Sequence, residues 1–266
     1  MGKFSKKMRK KYNETNKKSI GVYLILRILV ILSMIVQIVL GNISNAVMCI
    51  VALFLFTLPT IISETFKIGI PTVLEIIIYL FIYSSAILGE INNFYGLIPF
   101  WDTVLHTMNG FLCAGIGFSL VDLLNQNSKK VNLSPLYIAI VAFCFSMTIG
   151  ILWEFFEFSA DMVVKTDMQK DRIVRDISTV ELNPNGENSP VKVNNIESTV
   201  LYLENGETVT IENGYLDIGI IDTMKDLFVN FIGAIIFSVI GFLYIKNRSK
   251  YKFAKNFIPV KENLEE

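Results

Sequence analysis

Six stretches of about 20 predominantly apolar residues, each long enough to cross a bilayer core, constrain this chain more than any other feature. They occupy 19–40, 45–63, 71–89, 100–123, 135–158 and 222–245. Hydrocarbon offers no partner to a backbone N–H or C=O, so such stretches are helical unless a barrel closes. Barrel strands alternate apolar and polar residues over short segments, and these stretches do not. Charged residues make up 18% of the 266 residues, below the quarter or so usual for soluble domains. They are segregated into the ends and one long connection. The sequence therefore predicts an all-α membrane protein of six transmembrane helices.

The arrangement divides into a basic segment (1–18), five spans (19–161), an insertion (162–221), a sixth span (222–245) and a tail (246–266). The first apolar stretch is too long for a signal peptide core and lacks a small-residue cleavage site, so it reads as a retained anchor. Lys3, Lys6, Lys7, Arg9, Lys10, Lys11, Lys17 and Lys18 precede it. Lys67 lies between spans two and three, Lys129 and Lys130 between four and five, and Lys246, Arg248, Lys250, Lys252 and Lys255 after span six. The alternate connections, 41–44 and 90–99, contain no Lys or Arg. Basic residues mark the cytoplasmic side, which predicts both termini inside and the 162–221 insertion outside.

Within the insertion, 199–203 and 207–212 alternate around Asn205-Gly206, and Asn213-Gly214 follows, the pattern of β-hairpins. Its first part, 165–188, reads as loop or a short amphipathic helix. Cys49, Cys113 and Cys144 all fall in apolar stretches and read as packing residues without a disulfide framework. The bilayer is the partner the spans require. No nucleic-acid partner is expected, and oligomeric state is left open.

Charged and strongly polar groups inside spans are costly and tend to be functional. Arg27 on span one and Glu75 on span three sit toward the cytoplasmic side, where a structural ion pair between them is the plain reading. The others share the opposite end. Glu90 closes span three; Asp102, His106 and Asn109 open span four; Glu154, Glu157 and Asp161 close span five; Asp222, Asp226 and Asn230 open span six. Their spacings of three and four residues put each set on a single helix face. Such stripes must face one another or water, which predicts an outward-facing pocket lined by four helices. Plainer readings exist for single members: Asp102 and Asp222 as helix caps, Glu90 and Asp161 as solvated edges, His106 as an interhelical histidine. Capping does not account for Asp226, Asn230, Glu154 or Glu157. Gly110, Gly115, Gly117, Gly150 and Gly233 accompany the stripes and suit close helix contact.

So many carboxylates around one imidazole need either retained protons or a bound cation. Glu90, Asp102, His106, Glu154, Glu157, Asp222, Asp226 and Asn230, or a subset, offer the oxygen-rich donor set of a divalent cation such as Mg, Mn, Ca or Fe. Alternatively Asp102 and His106 form a general acid–base couple, with Glu154, Glu157 and Asp226 completing a catalytic set on a lipid-linked substrate. A single histidine excludes a multi-histidine metal site. Phosphate loops, nucleophile elbows and dinucleotide fingerprints are absent. A cell-envelope enzyme or accessory factor, a cation-binding or transport protein, and a structural or sensory protein all remain open.

Four blocks carry a resemblance: Trp101-Asp102-x-x-x-His106, Gly150-x-x-Trp153-Glu154-x-x-Glu157-Phe158, Met168-Gln169, and Asp222-Thr223-Met224-x-Asp226-x-x-x-Asn230-x-x-Gly233. In this order they resemble the YjdF-type bacterial inner-membrane proteins, a family of unknown function. More distantly, the succession is similar to the VanZ-like membrane proteins, associated with resistance to a lipoglycopeptide antibiotic, with Thr103 where that pattern has a basic residue and Glu157 where it has Gln. The resemblance implies a bacterial cytoplasmic-membrane location and supports the pocket residues as a set. In this chain the insertion separates Met168-Gln169 from Asp222-Thr223-Met224.

Overall fold

A computed structural model describes residues 17–66, 68–127 and 132–261. Lys3 to Lys11, Lys67, Lys129 and Lys130, which support the orientation reading, lie outside the described residues. Among the described residues six helices are long and apolar enough to cross a membrane.

Span one is α1 (Lys17–Val39). Span two breaks into α2 (Ile43–Leu55) and α3 (Leu58–Phe66). The break falls just before Pro59, whose ring and missing N–H interrupt the ladder. Thr57 caps it by donating its hydroxyl to the Phe54 carbonyl at 2.6 Å. Span three is α4 (Thr72–Tyr83) continued by a π-helical stretch (Ser84–Ile91). A short α5 (Phe94–Leu97) leads to α6 (Trp101–Asn127), span four. Span five is α7 (Pro135–Val164) and span six α8 (Ile220–Lys246), both longer than their apolar stretches. The extra length matters: Asp161 and Asp222 are helical rather than flanking.

By contacts the chain forms two units, residues 1–150 with 228–266, and residues 151–227. In the first, two apolar cores are built. One joins spans one to three through Leu26, Val30, Cys49, Ala52, Phe56, Tyr79 and Ile82. Its centre is an aromatic trio, with the rings of Tyr23, Phe56 and Tyr79 5.2 to 6.4 Å apart. The other joins spans four to six through Ala114, Phe118, Ile138, Ala142, Ala234 and Phe237.

The tail enters that second core. Residues Lys252–Asn256 form a 3₁₀ turn, Ala254 and Ile258 are buried, and the Phe257 ring meets Phe111 edge-on at 5.4 Å. A two-residue strand β8 (Val260–Lys261) then pairs antiparallel with β1 (Ile68–Gly69), which lies between spans two and three. The segment after span six, expected only as a cytoplasmic tail, is thus folded back against the helices over its described length.

The expected ion pair between Arg27 and Glu75 does not form. The Arg27 guanidinium bonds the Tyr23 hydroxyl and lies over its ring, while Glu75 accepts from Ser19 at 2.7 Å and Tyr79 at 2.9 Å. Tyrosines satisfy both charges separately. A pair absent from the sequence reading joins span four to the segment that follows span six. Buried Asp122 receives Arg248 through two bonds of 2.7 and 3.0 Å, and Gln126 through one of 2.7 Å.

The second unit holds the insertion. Strands β3 (Ile177–Thr179) and β4 (Val191–Val193) pair antiparallel, as do β5 (Ser198–Tyr202) and β6 (Thr208–Glu212). The latter pair is the hairpin expected at Asn205-Gly206, with Gly206 at φ +84. One expectation is met in part and one is corrected. The 165–188 segment is loop, as one of its two readings expected, but it carries two short strands, β2 (Ile173–Val174) and β3. The Asn213-Gly214 turn closes no hairpin with β6; it redirects the chain into β7 (Tyr215–Leu216), which pairs with β2.

Candidate functional site

At the packing seam of the first unit, α6 and α8 come within backbone contact. A Cβ on Gly110 would lie 2.0 Å from the Asn230 carbonyl oxygen, and one on Gly233 would lie 2.0 Å from that of Thr107. A Cβ on Gly150 of α7 would meet the Asn230 side chain at 2.6 Å. Ser146 donates its hydroxyl to the Gly110 carbonyl at 2.7 Å. Glycine is required at these crossings because any side chain would push the helices apart. Gly115 and Gly117 serve similarly, against the rings of Phe237 and Phe145.

This seam fixes the polar residues beside it. Asn230, 1% exposed, accepts from the Asn109 side-chain amide at 3.1 Å, so two stripe residues face each other across α6 and α8. One turn toward the start of α6, His106 Nε2 lies 3.3 Å from Asp102 Oδ1. The i,i+4 spacing does what it predicted. α6 begins at Trp101, so Asp102 sits inside the first turn and the cap reading does not apply. A carboxylate on one ring nitrogen holds the imidazole in a single orientation. Glu90 lies near the end of the π-helical stretch as an exposed residue.

The second unit contains the other carboxylates. Glu154, Glu157, Asp222 and Asp226 are each less than a tenth exposed. Asp222 is held on both oxygens: Oδ2 accepts the Lys170 backbone N–H at 3.1 Å and Oδ1 accepts the Arg172 guanidinium at 3.1 Å. The Lys225 ammonium stands 4.0 Å from Asp222 and 3.7 Å from Asp226. Glu157 accepts the Trp153 indole N–H at 2.7 Å. Asp222 is neither a cap nor a freely available ligand; it anchors the chain segment that crosses the start of α8.

That segment is held at every step. Asp161, near the end of α7, accepts the backbone N–H groups of Met168 at 2.7 Å and Gln169 at 2.8 Å, and the Thr166 hydroxyl at 2.7 Å. The Gln169 amide donates to the Thr223 hydroxyl. Asp217, just ahead of α8, accepts N–H groups of Arg172, Gly219 and Ile221. Partial burial pushes its carboxyl up, but the three N–H donors outweigh that and hold it below the ordinary aspartate range. The β2–β7 pairing, Ile173 opposite Leu216 and Val174 opposite Tyr215, draws the two ends of the insertion together. Met168-Gln169 and Asp222-Thr223 are therefore neighbours despite their separation in sequence.

The structure adds three residues to the set that sequence reasoning assembled: Arg172, Lys225 and Asp217. Lys225 lay on the span-six stripe, three residues from Asp222, and its spacing could have revealed it. Arg172 and Asp217 carried no such signal, because strand pairing positions them. Compensation for the buried acids comes in part from these protein cations, which the sequence reading had sought in retained protons or a bound ion.

Comparison with known proteins bears on the membrane character and leaves the chemistry open. No solved structure matches. An "Uncharacterized protein" of Thermotoga maritima is 29% identical over 83 residues, 31% of this chain and 41% of that relative. The chain thus spans about two fifths of that relative's length. A family model matches residues 21–177, from span one into the insertion, leaving Asp222, Asp226 and Asn230 beyond its end. The match supports the expected kind of family and carries neither the YjdF-type nor the VanZ-like designation. With six apolar helices and a matched region that covers more than half of its length, the chain belongs to the family described as Predicted membrane protein (DUF2238) and is a multi-pass membrane protein.

Proposed function

We propose that the chain is a cell-envelope enzyme or accessory factor of a bacterial cytoplasmic membrane. In this reading the termini face the cytoplasm and the insertion faces outward, and the polar ends of spans three to six act on a lipid-linked substrate. Asp102 and His106 serve as the acid–base couple. Glu154, Glu157 and Asp226 bind the polar portion of the substrate or a divalent cation that accompanies it. Asp222 and Arg172 position the strap that crosses the start of α8.

The observation that carries the reading is the burial of Glu154, Glu157, Asp222 and Asp226, four carboxylates less than a tenth exposed within one unit. Buried acids in such number are expensive to maintain for packing alone, since apolar residues would fill the same volume with less desolvation. The orientation rests on Lys246, Arg248, Lys250, Lys252 and Lys255 following span six. A transport reading needs a polar path through the bundle. Beyond Asn230, the centre of spans four to six is filled by Phe111, Phe118, Phe237 and Phe257, whose rings contact edge-on at 5.0 to 5.9 Å. That filling favours a one-sided site over a conduit.

Two measurements test the proposal. With native cysteines replaced, a membrane-impermeant maleimide applied to intact cells should label Asn205→Cys and spare Ser249→Cys; the opposite pattern overturns the orientation. Purified His106→Ala, Glu154→Gln and Asp226→Asn proteins should each fold, and each should lose the activity or phenotype of the native protein by more than tenfold. Native function in all three would remove these residues from any site.

A further inference from the structure

From Asp226 to Lys261 the sequence carries no further carboxylate, while Lys246, Arg248, Lys250, Lys252 and Lys255 fall within ten residues at and beyond the end of α8. Arg248 is neutralised by Asp122 at 2.7 Å. Among the described residues it alone of these five meets a carboxylate. Lys246 lies over the Phe242 ring at 4.9 Å and Lys250 over the Tyr251 ring at 5.5 Å, and Lys252 and Lys255 are exposed. A free tail would carry such charges out into water. This segment is pinned instead, by the burial of Ala254 and Ile258 and by the pairing of β8 with β1.

Its depth follows from what it touches. Arg248 is bound at the level of Asp122 on α6. From there the chain turns back along α4 and α6 until the Phe257 carbonyl faces Gly115, whose Cβ would lie 3.5 Å from it. Asp122 and Gly115 are seven residues apart on α6, about 10 Å of helix rise. The 3₁₀ turn Lys252–Asn256 therefore lies between these two levels, beside the ends of the spans rather than beyond them. Such a turn repeats every three residues, so Lys252 and Lys255 share one side, and Ala254 and Phe257 another. Ala254 and Phe257 pack into the core of spans four to six, which leaves the two lysines and Phe253, 51% exposed, directed outward. An ammonium group at the edge of hydrocarbon needs an anion, and an exposed ring beside it suits the boundary between headgroups and acyl chains.

We propose that residues 246–255 form a docking surface for anionic phospholipid headgroups. The ammonium groups of Lys246, Lys250, Lys252 and Lys255 take the phosphates, and Phe253 enters the layer just beneath them. A zwitterionic headgroup brings its own cation beside the phosphate, so the surface selects lipids of net negative charge. The inference needs only that span six ends at a membrane face. It stands apart from the carboxylates, from the function proposed for them and from the direction of insertion.

The test uses the full-length protein in a nonionic detergent and phosphatidylglycerol with a fluorophore on its acyl chain, read by anisotropy. Unlabelled phosphatidylglycerol should displace the probe about tenfold more effectively than phosphatidylcholine or inorganic phosphate. Each lysine at an anionic surface is worth about fivefold in affinity. Lys246→Gln, Lys250→Gln, Lys252→Gln and Lys255→Gln combined should therefore weaken binding by more than about tenfold, although the lysines of 1–18 remain in place. If that protein folds poorly, Lys252→Gln with Lys255→Gln leaves α8 untouched and should still lose about fivefold or more. Phe253→Ser should weaken binding while keeping the preference for phosphatidylglycerol. Affinity unchanged in the lysine variants, equal displacement by phosphatidylcholine, or displacement by inorganic phosphate as effective as by the lipid would overturn the proposal.

Discussion

Asn230 illustrates how much one side chain can organise in a membrane interior. It is surrounded by Asn109, Gly110 and Gly150, and its amide also approaches the Met147 sulfur at 3.7 Å. The surrounding glycines are the feature most open to test. Gly110→Ala would place a methyl group 2.0 Å from a backbone oxygen that cannot rotate away. Overpacking of this kind costs about 1–3 kcal/mol. The melting temperature of this variant in detergent should fall clearly below the native value, whereas Gly21→Ala, with nothing within 4 Å, should be neutral or slightly stabilising. Equal effects would mean that the seam is not a close contact.

Asp217 ties the insertion to pH. Its carboxyl is held below the ordinary range, so the charged form is favoured by folding. The stability it contributes is present above the unfolded aspartate value, about 3.9, and is lost as pH falls through the lower folded value. Protease resistance of the insertion should therefore decline in that acid window. Asp217→Asn should be less resistant at neutral pH and should show a smaller acid-induced decline than the native protein. An undiminished acid response in the variant would assign the effect to another carboxylate.

Among the elements, the segment after span six departs furthest from its sequence reading. Lys, Arg and polar residues dominate it, yet Ala254 and Ile258 are buried beside the helices. Ending the chain after Ser249 would remove both, together with Phe257 and strand β8. Each large apolar side chain withdrawn from such a core costs about 1.5–3 kcal/mol. A truncated protein should melt markedly lower than the native one, and Ile258→Asp should reproduce much of the loss. A truncation without effect would show that the segment merely rests on the bundle. The strap from Asp161 to Arg172 is the counterpart in the second unit, secured by backbone donors on Asp161 and by Arg172 on Asp222. An Arg172→Ala protein should be cleaved faster between 165 and 175, losing a charged hydrogen bond worth about 1.5–3 kcal/mol at most, less for the half-exposed guanidinium.

Over the whole molecule, the aromatic filling of spans four to six makes a definite statement about permeability. Reconstituted into vesicles loaded with a pH- or cation-sensitive dye, the protein should conduct neither protons nor divalent cations above the level of empty vesicles. Cation flux abolished by Glu154→Gln or Asp226→Asn would sink the one-sided reading and revive transport.

Much of this organisation is present in the order of residues. Length and apolarity determine the spans, because a bilayer leaves the backbone only one way to satisfy itself. Spacings of three and four residues determine which side chains share a face, because helix geometry is fixed; Asp102 and His106, or Asp226 and Asn230, could be paired on paper. The Asn205-Gly206 turn announces its hairpin for the same local reason. What needed the tertiary structure is everything decided between distant segments. Tyr23 and Tyr79 stand four residues from Arg27 and Glu75, within the same local period, but the Ser19 hydroxyl that also meets Glu75 comes from a different span. Nothing in the Asn213-Gly214 turn said that β7 would choose β2 over β6. The Arg172 guanidinium at Asp222 and the return of residues 252–261 likewise arise from packing across long stretches of chain, where no local period records the partner.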